Sequence, residues 1–148
     1  MQVKTLIDKK YKNMEIHVCN YQKDDNVIQM AKDIEGFVNI RLTGTDAKGE
    51  KVMLNPHEII RFYAQNQKVM AQDATGIYSV PKKLYELEET LDTMDLFRIS
   101  KSEIINLRKV RSLDINMAGT IRVILIDGTE TYTSRRNVTR LKKKLGLK

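Results

Sequence analysis

From Ile40 to Thr133 the chain is cut into short apolar pieces by Gly, Asp, Asn and Pro, a pattern that leaves little room for long helices. Ile40-Arg-Leu, Lys51-Val-Met-Leu54, Glu58-Ile-Ile-Arg-Phe-Tyr63, Val69-Met-Ala and Gly76-Ile-Tyr-Ser-Val80 each have the length and composition of a strand. Ser112–Met117, Thr120–Ile126 and Glu130–Thr133 continue as a meander. Its turns are Ala118-Gly119 and Asp127-Gly128, the second a two-residue hairpin signal. Two helices punctuate the series. Pro81–Leu91 has Pro at its first position and Leu84, Leu87 and Leu91 on one stripe. The closing helix follows Ser134 as its cap, with Val138, Leu141 and Leu145 inward and Arg135, Arg136, Arg140, Lys142, Lys143 and Lys144 outward.

Before this region, residues 2–7 and 14–20 alternate apolar with polar side chains and read as two strands around the Asp8–Asn13 turn. Asp24-Asp25-Asn26 then offers a helix start, followed by Val27, Met30, Ala31, Ile34 and Phe37 at helical spacing, with Gly36 as a stop. The expected fold class is therefore mostly β with short helices, α+β. A small β-β-α unit over residues 1–40 precedes a domain of short strands over residues 44–148 that ends in a basic helix.

Charge is divided unevenly along this plan. Arg98–Lys148 holds thirteen Lys and Arg against four acids, whereas residues 1–97 hold thirteen against fifteen. Up to Asn39 six bases balance six acids. A net +9 in the last third calls for a polyanion, with nucleic acid first among the candidates. The 148 residues suffice for one good core or two small units, and 41% hydrophobic with 30% charged residues describes an ordinary globular chain. No apolar run approaches the roughly 18 residues of a membrane span, and the first residues lack a signal-peptide core. With one cysteine, Cys19, the chain forms no internal disulfide, so a cytoplasmic location is expected. His17 and Cys19 share one face of an expected strand without a third ligand, and His57 follows Pro56 at the start of another, so no metal site is expected. Neither a catalytic Ser-His-Asp set nor a phosphate-cradling glycine loop stands out. The chain is not expected to be an enzyme, nor to use a cofactor or a small-molecule substrate.

Several residues have side chains suited to nucleic acid. Arg135 and Arg136 lie where the last strand meets the last helix, and arginine grips guanine O6 and N7 as a fork, so Arg136 is assigned to a base and Arg135 to a phosphate. Lys101 beside Ser102 pairs a cation with a short hydroxyl, a combination suited to phosphate, while Ser102 also reads as the N-cap of a helical turn Glu103–Asn106. Asn106 is read as a buried side chain that bonds loop backbone. Gln65, Asn66, Gln67 and Lys68 form a polar loop whose amides suit adenine N6 and N7. Lys142, Lys143 and Lys144 would add salt-dependent backbone attraction. An RNA-binding module or a pure protein-interaction module is the alternative. The former is disfavoured because the Phe and Tyr residues are scattered and form no stacking platform.

Three segments, in order, resemble the LytTR family of bacterial DNA-binding domains. They are Glu58-Ile-Ile-Arg-Phe-Tyr-Ala-Gln-Asn-Gln-Lys68, Phe97-Arg-Ile-Ser-Lys-Ser-Glu-Ile-Ile-Asn-Leu-Arg-Lys-Val110, and Gly128–Leu141 with its Tyr-Thr-Ser-Arg-Arg-Asn-Val core. The resemblance covers about residues 40–148. It implies an all-β domain whose loops, not a recognition helix, enter successive major grooves of double-stranded DNA at a direct repeat. Carried over by position, base contacts fall near Asn66, Gln67 and Lys68, at Lys101, and at Arg136. At Ser100-Lys101 the chain departs from the common pattern, where a His is frequent, and this bears on base preference. Residues 1–37 are too short for the receiver domain that many members carry, so a stand-alone transcriptional regulator without phosphorylation control is expected. The neutral first 40 residues are the expected partner interface, and a homodimer is its simplest form. The resemblance also implies a membrane-anchored inhibitor as a partner.

Overall fold

A computed structural model describes residues 8–10, 12, 14–22, 24–92, 94–115 and 119–147. The chain divides into two units, Met1–Asn39 and Ile40–Lys148. In the first, helix α1 spans Asp25–Val38. It starts where the Asp24 carboxylate accepts the Val27 N–H at 2.9 Å, and Asp25 adds a favourable negative charge to the first turn. The helix runs two residues past Gly36, the expected stop. The expected strand at residues 2–7 lies outside the described residues. The one expected at residues 14–20 does not form: the segment is irregular, with Met14 89% and Ile16 57% exposed. Alternation supplies a face but no hydrogen-bonded neighbour, and an isolated strand is not stable without one. Among the described residues the expected β-β-α unit is therefore a helix preceded by irregular chain.

Among the described residues the second unit is built from ten strands. Seven form one antiparallel sheet: β1 Leu42–Thr45, β2 Lys51–Leu54, β3 Arg61–Gln65, β4 Lys68–Gln72, β5 Ile77–Val80, β6 Leu96–Ser100 and β7 Glu103–Asn106, in the order β2-β1-β5-β4-β3-β7-β6. The other three, β8 Val110–Ile115, β9 Ile121–Leu125 and β10 Glu130–Tyr132, form a meander in the order β10-β9-β8. Helices α2, Leu84–Thr90, and α3, Arg135–Lys144, complete the unit. Register assigns the two faces of the large sheet. Phe62 stands opposite Ala71 and Ile104, while Arg61 stands opposite Gln72 and Ile105. Ile60, Phe97, Ile99 and Ile105 pack with Ile121, Val123 and Leu125 of the meander and Leu141 of α3. Val138 and Leu145 flank this core, as the helical spacing predicts. Each such fully buried side chain stabilises the fold by about 1.5–3 kcal/mol relative to exposure.

A polar chain, buried at Glu103 and Thr131 and open to solvent at Asp127, crosses between the two sheets. Glu103, 9% exposed, accepts from Arg61 at 3.0 Å and from the Thr131 hydroxyl at 2.5 Å. The Arg61 Nε donates to Gln72 at 2.7 Å, and the Gln72 amide donates to Asp127 in the β9–β10 loop. Every charged member thus has a partner, which is what burial of charge requires.

Three local expectations are corrected. Helix α2 begins at Leu84, not Pro81, because the Lys83 N–H donates to the Glu86 carboxylate and makes Lys83 the cap. Pro81 instead terminates β5. The Asp127-Gly128 turn is a three-residue loop, Ile126–Gly128, closed by Gly128 N–H to Leu125 O and Leu125 N–H to Thr129 O, both 2.9 Å. Gly128 takes φ +85°, the left-handed position such loops require. Finally, Glu103–Asn106 is a strand buried at all four positions, so Ser102 caps no helix. Two-sided burial produces an apolar run whose period does not distinguish strand from helix.

Candidate nucleic-acid interface

Asn66 and Gln67 alone connect β3 to β4, since Gln65 pairs with Lys68. Both have positive φ, 49° and 62°, the backbone that a tight two-residue hairpin turn needs. Asparagine tolerates this region well, whereas glutamine adopts it at a local energetic cost. Gln65, Asn66, Gln67 and Lys68 are all exposed at this tip.

Lys101 and Ser102 form the β6–β7 turn, and the ladder fixes its position. Tyr63 pairs with Glu103, and the Ala64 N–H donates to Ser102 O at 2.8 Å. The β3–β4 and β6–β7 turns therefore emerge from the same end of the sheet, two strand spacings or about 10 Å apart. Both Lys101 and Ser102 are exposed.

The start of α3 joins them through a bulge. Arg98 pairs with Ile104 and Ser100 with Glu103, so Ile99 is the extra residue. Its carbonyl accepts the Ser134 N–H at 2.8 Å, which ties the first turn of α3 beside the β6–β7 turn. Ser134 holds the N-cap position, but its hydroxyl makes no capping bond. Arg135 and Arg136 occupy the first two helical positions and are exposed. No acid stands in that first turn, so two cations face the positive end of the helix dipole. The acids that could have paired with them are engaged elsewhere: Glu130 lies 3.7 Å from Arg122, and Asp127 accepts from Thr129 and Gln72.

The fold thus gathers Asn66, Gln67, Lys68, Lys101, Ser102, Arg135 and Arg136 at one end. Among the described residues, Lys68, Lys101, Arg135 and Arg136 have no ion-pair partner. Lys142 and Lys143 are not gathered there. They occupy the last turn of α3, about 10 Å further along its axis. Lys143, with Glu88, Asp92, Arg98 and Arg140, borders an open cleft of about 710 Å³ that Lys142 does not line. Asn106 acts structurally, as read: its amide donates to Ile59 O at 2.9 Å, and its carbonyl oxygen accepts the Arg108 N–H at 3.0 Å.

Sequence reasoning missed two contributors. Val80 pairs with Val69, so Pro81-Lys82-Lys83 continues past the same end of the sheet and adds two cations. Arg98 turns back onto the β6–β7 turn, and only its place in a Phe-Arg-Ile-Ser-Lys-Ser run hinted at this. Among the described residues no three His, Cys, Asp or Glu side chains group as metal ligands, and no helix is long and apolar enough to cross a membrane.

The LytTr DNA-binding domain family matches residues 49–146. This chain belongs to the LytTR family. Similar proteins from Staphylococcus aureus strains NCTC 8325 and COL are 35% identical to it over 95 residues, 64% of this chain and 64% of each relative. Both are described as uncharacterised HTH-type transcriptional regulators, and the LytTR chain spans just under two thirds of their length. Among solved structures, the LytTr DNA-binding domain of a Bacillus cereus protein, described as a methyl-accepting/DNA response regulator, superposes with a TM-score of 0.68 at 17% identity. The superposition covers 72% of this chain and 97% of that one, and it establishes the shared fold. In this LytTR domain α2 and α3 are separated by five strands, so they do not form a helix-turn-helix pair.

Proposed function

We propose that this LytTR chain is a cytoplasmic transcriptional regulator that reads double-stranded DNA sequence-specifically with loops in the major groove, two copies occupying a direct repeat. The convergence of the Asn66-Gln67 turn, the Lys101-Ser102 turn and Arg135-Arg136 at one end of the sheet carries this reading. In it, Arg136 forks onto a guanine, giving about 1–3 kcal/mol of discrimination, and Asn66 or Gln67 reads adenine. Lys101 reaches a base edge, and Lys68, Ser102 and Arg135 bind phosphate, with the open amides of the α3 N-terminus adding a favourable dipole. Phosphate there would relieve the unfavourable placement of two cations at that helix end. Lys142 and Lys143 supply longer-range attraction to the duplex.

The test is selection of bound duplexes from a random pool by the purified protein, followed by titration across salt. The expected result is a defined repeated motif and an affinity that falls steeply with salt. Recovery of no motif, with affinity indifferent to salt, contradicts the proposal.

A second reading concerns the N-terminal unit. Met14, Ile16, Tyr21 and Met30 are exposed large apolar residues on a segment with no net charge, and a surface of that kind suits a protein partner. A second copy is the partner we propose, and a membrane-anchored inhibitor, implied by the family resemblance, is the other outcome of the test. Sedimentation of the purified chain at micromolar concentration should show a dimer; a clean monomer removes that assignment.

A further inference from the structure

We propose that Arg98, held by Glu88, is a specificity-determining positioning residue that sets the shape of the Lys101-Ser102 turn; this rests on the DNA-reading role given to that turn above. A two-residue hairpin loop matches the twist of its strands when its central residues take positive φ. The Asn66-Gln67 turn does so. Lys101 and Ser102 do not: Asn66 and Gln67 are the only non-glycine positions with positive φ among the described residues. The turn also lacks Gly and Pro, and its own side chains add only a weak tie, the Ser100 hydroxyl accepting the Ser102 N–H at 3.3 Å.

Arg98 supplies what the turn lacks. Its Nε donates to Ser100 O at 2.8 Å, and one terminal nitrogen donates to Lys101 O at 2.5 Å. The other terminal nitrogen donates to the Glu88 carboxylate at 2.7 Å, so each of the three guanidinium nitrogens makes a hydrogen bond. The Arg98 side chain is 21% exposed and that of Glu88 39%, which makes this a partly buried pair joining α2 to the tip of β6–β7. The neighbours Phe97 and Ile99 are buried in the core, whereas Arg98 spends its donors on loop carbonyls. Lysine keeps the charge but cannot bridge two carbonyls and a carboxylate in one plane. If the clasp loosens, the Lys101 ammonium loses its defined place over the duplex while the net charge of the face stays the same.

The test compares wild type, Arg98→Lys, Glu88→Gln, Lys101→Ala and Arg136→Ala in the same random-duplex selection and salt titration, with thermal unfolding alongside. Arg98→Lys should keep the salt slope of wild type. It should lower discrimination by about fivefold or more at the base positions that Lys101→Ala also flattens, and leave those flattened by Arg136→Ala unchanged. Glu88→Gln retains an acceptor and should give the same pattern more weakly. It is also the milder variant, should Arg98→Lys prove unstable. Unchanged base preference in both variants, with affinity reduced evenly for every duplex or not at all, overturns the clasp. Absence of any preference in wild type overturns both the clasp and the DNA reading beneath it.

Discussion

At the scale of single residues, the most consequential side chain is one whose sequence context misleads. Glu103 sits in Ser-Glu-Ile-Ile-Asn, which reads as a capped helical turn, and instead it is the buried hub joining Arg61 to Thr131. Nothing in the local string announces a partner 42 residues upstream and another 28 downstream. Glu103→Ala should destabilise the domain by roughly 3–5 kcal/mol, since it leaves the Arg61 guanidinium, 20% exposed, without its carboxylate. Chemical denaturation checks this, and a loss below 1 kcal/mol would show that the network is dispensable. Asn106, by contrast, was legible as structural: a lone amide after two apolar residues has few uses other than bonding loop backbone. Gly44 is also fixed by contact. A Cβ there would lie 2.8 Å from Leu54 Cδ1 and 2.9 Å from Tyr78 Cβ, so Gly44→Ala should cost about 1–3 kcal/mol by the same measurement.

At the scale of elements, strands bounded by turn residues were legible, as was the meander of β8, β9 and β10, but the pairing order of the large sheet was not. Short apolar pieces between Gly, Asp and Pro mark strands because a period of two and a breaker at each end leave few alternatives. The order β2-β1-β5-β4-β3-β7-β6 depends on contacts far apart in the chain, which a local pattern does not encode. Residues 14–20 show the converse, with the alternation of a strand but no strand neighbour among the described residues. The β3–β4 turn yields a prediction at this scale. Glycine at position 67 would adopt φ 62° without strain, so Gln67→Gly should raise stability by about 1 kcal/mol. It should also weaken selection at one base position. A stabilised protein with undiminished preference would remove Gln67 from the reading surface.

At the scale of the whole molecule, the uneven charge of the sequence indicated a polyanion but not where it would lie. Part of the +9 of the last third goes to internal pairs, as with Arg98 and Glu88 or Arg122 and Asp114. Of the unpaired remainder, Lys101, Arg135 and Arg136 collect at one end, where Lys82 and Lys83, from a stretch of sequence with no net positive charge, join them. Lys82→Ala and Lys83→Ala should each flatten the log–log salt dependence by about 0.9 if each contacts a phosphate, with base preference intact. An unaltered slope would place them off the duplex.

The central claim is that loops at one end of the sheet read base sequence, and Arg136 tests it most directly. Wild type and Arg136→Ala should be titrated against the selected duplex and a scrambled duplex at one salt concentration. Wild type should favour the selected duplex by about a thousandfold or more. Arg136→Ala should lose roughly 5- to 150-fold on the selected duplex, with a much smaller loss on the scrambled one. Equal losses on both duplexes would show that Arg136 contributes charge alone and would contradict the account.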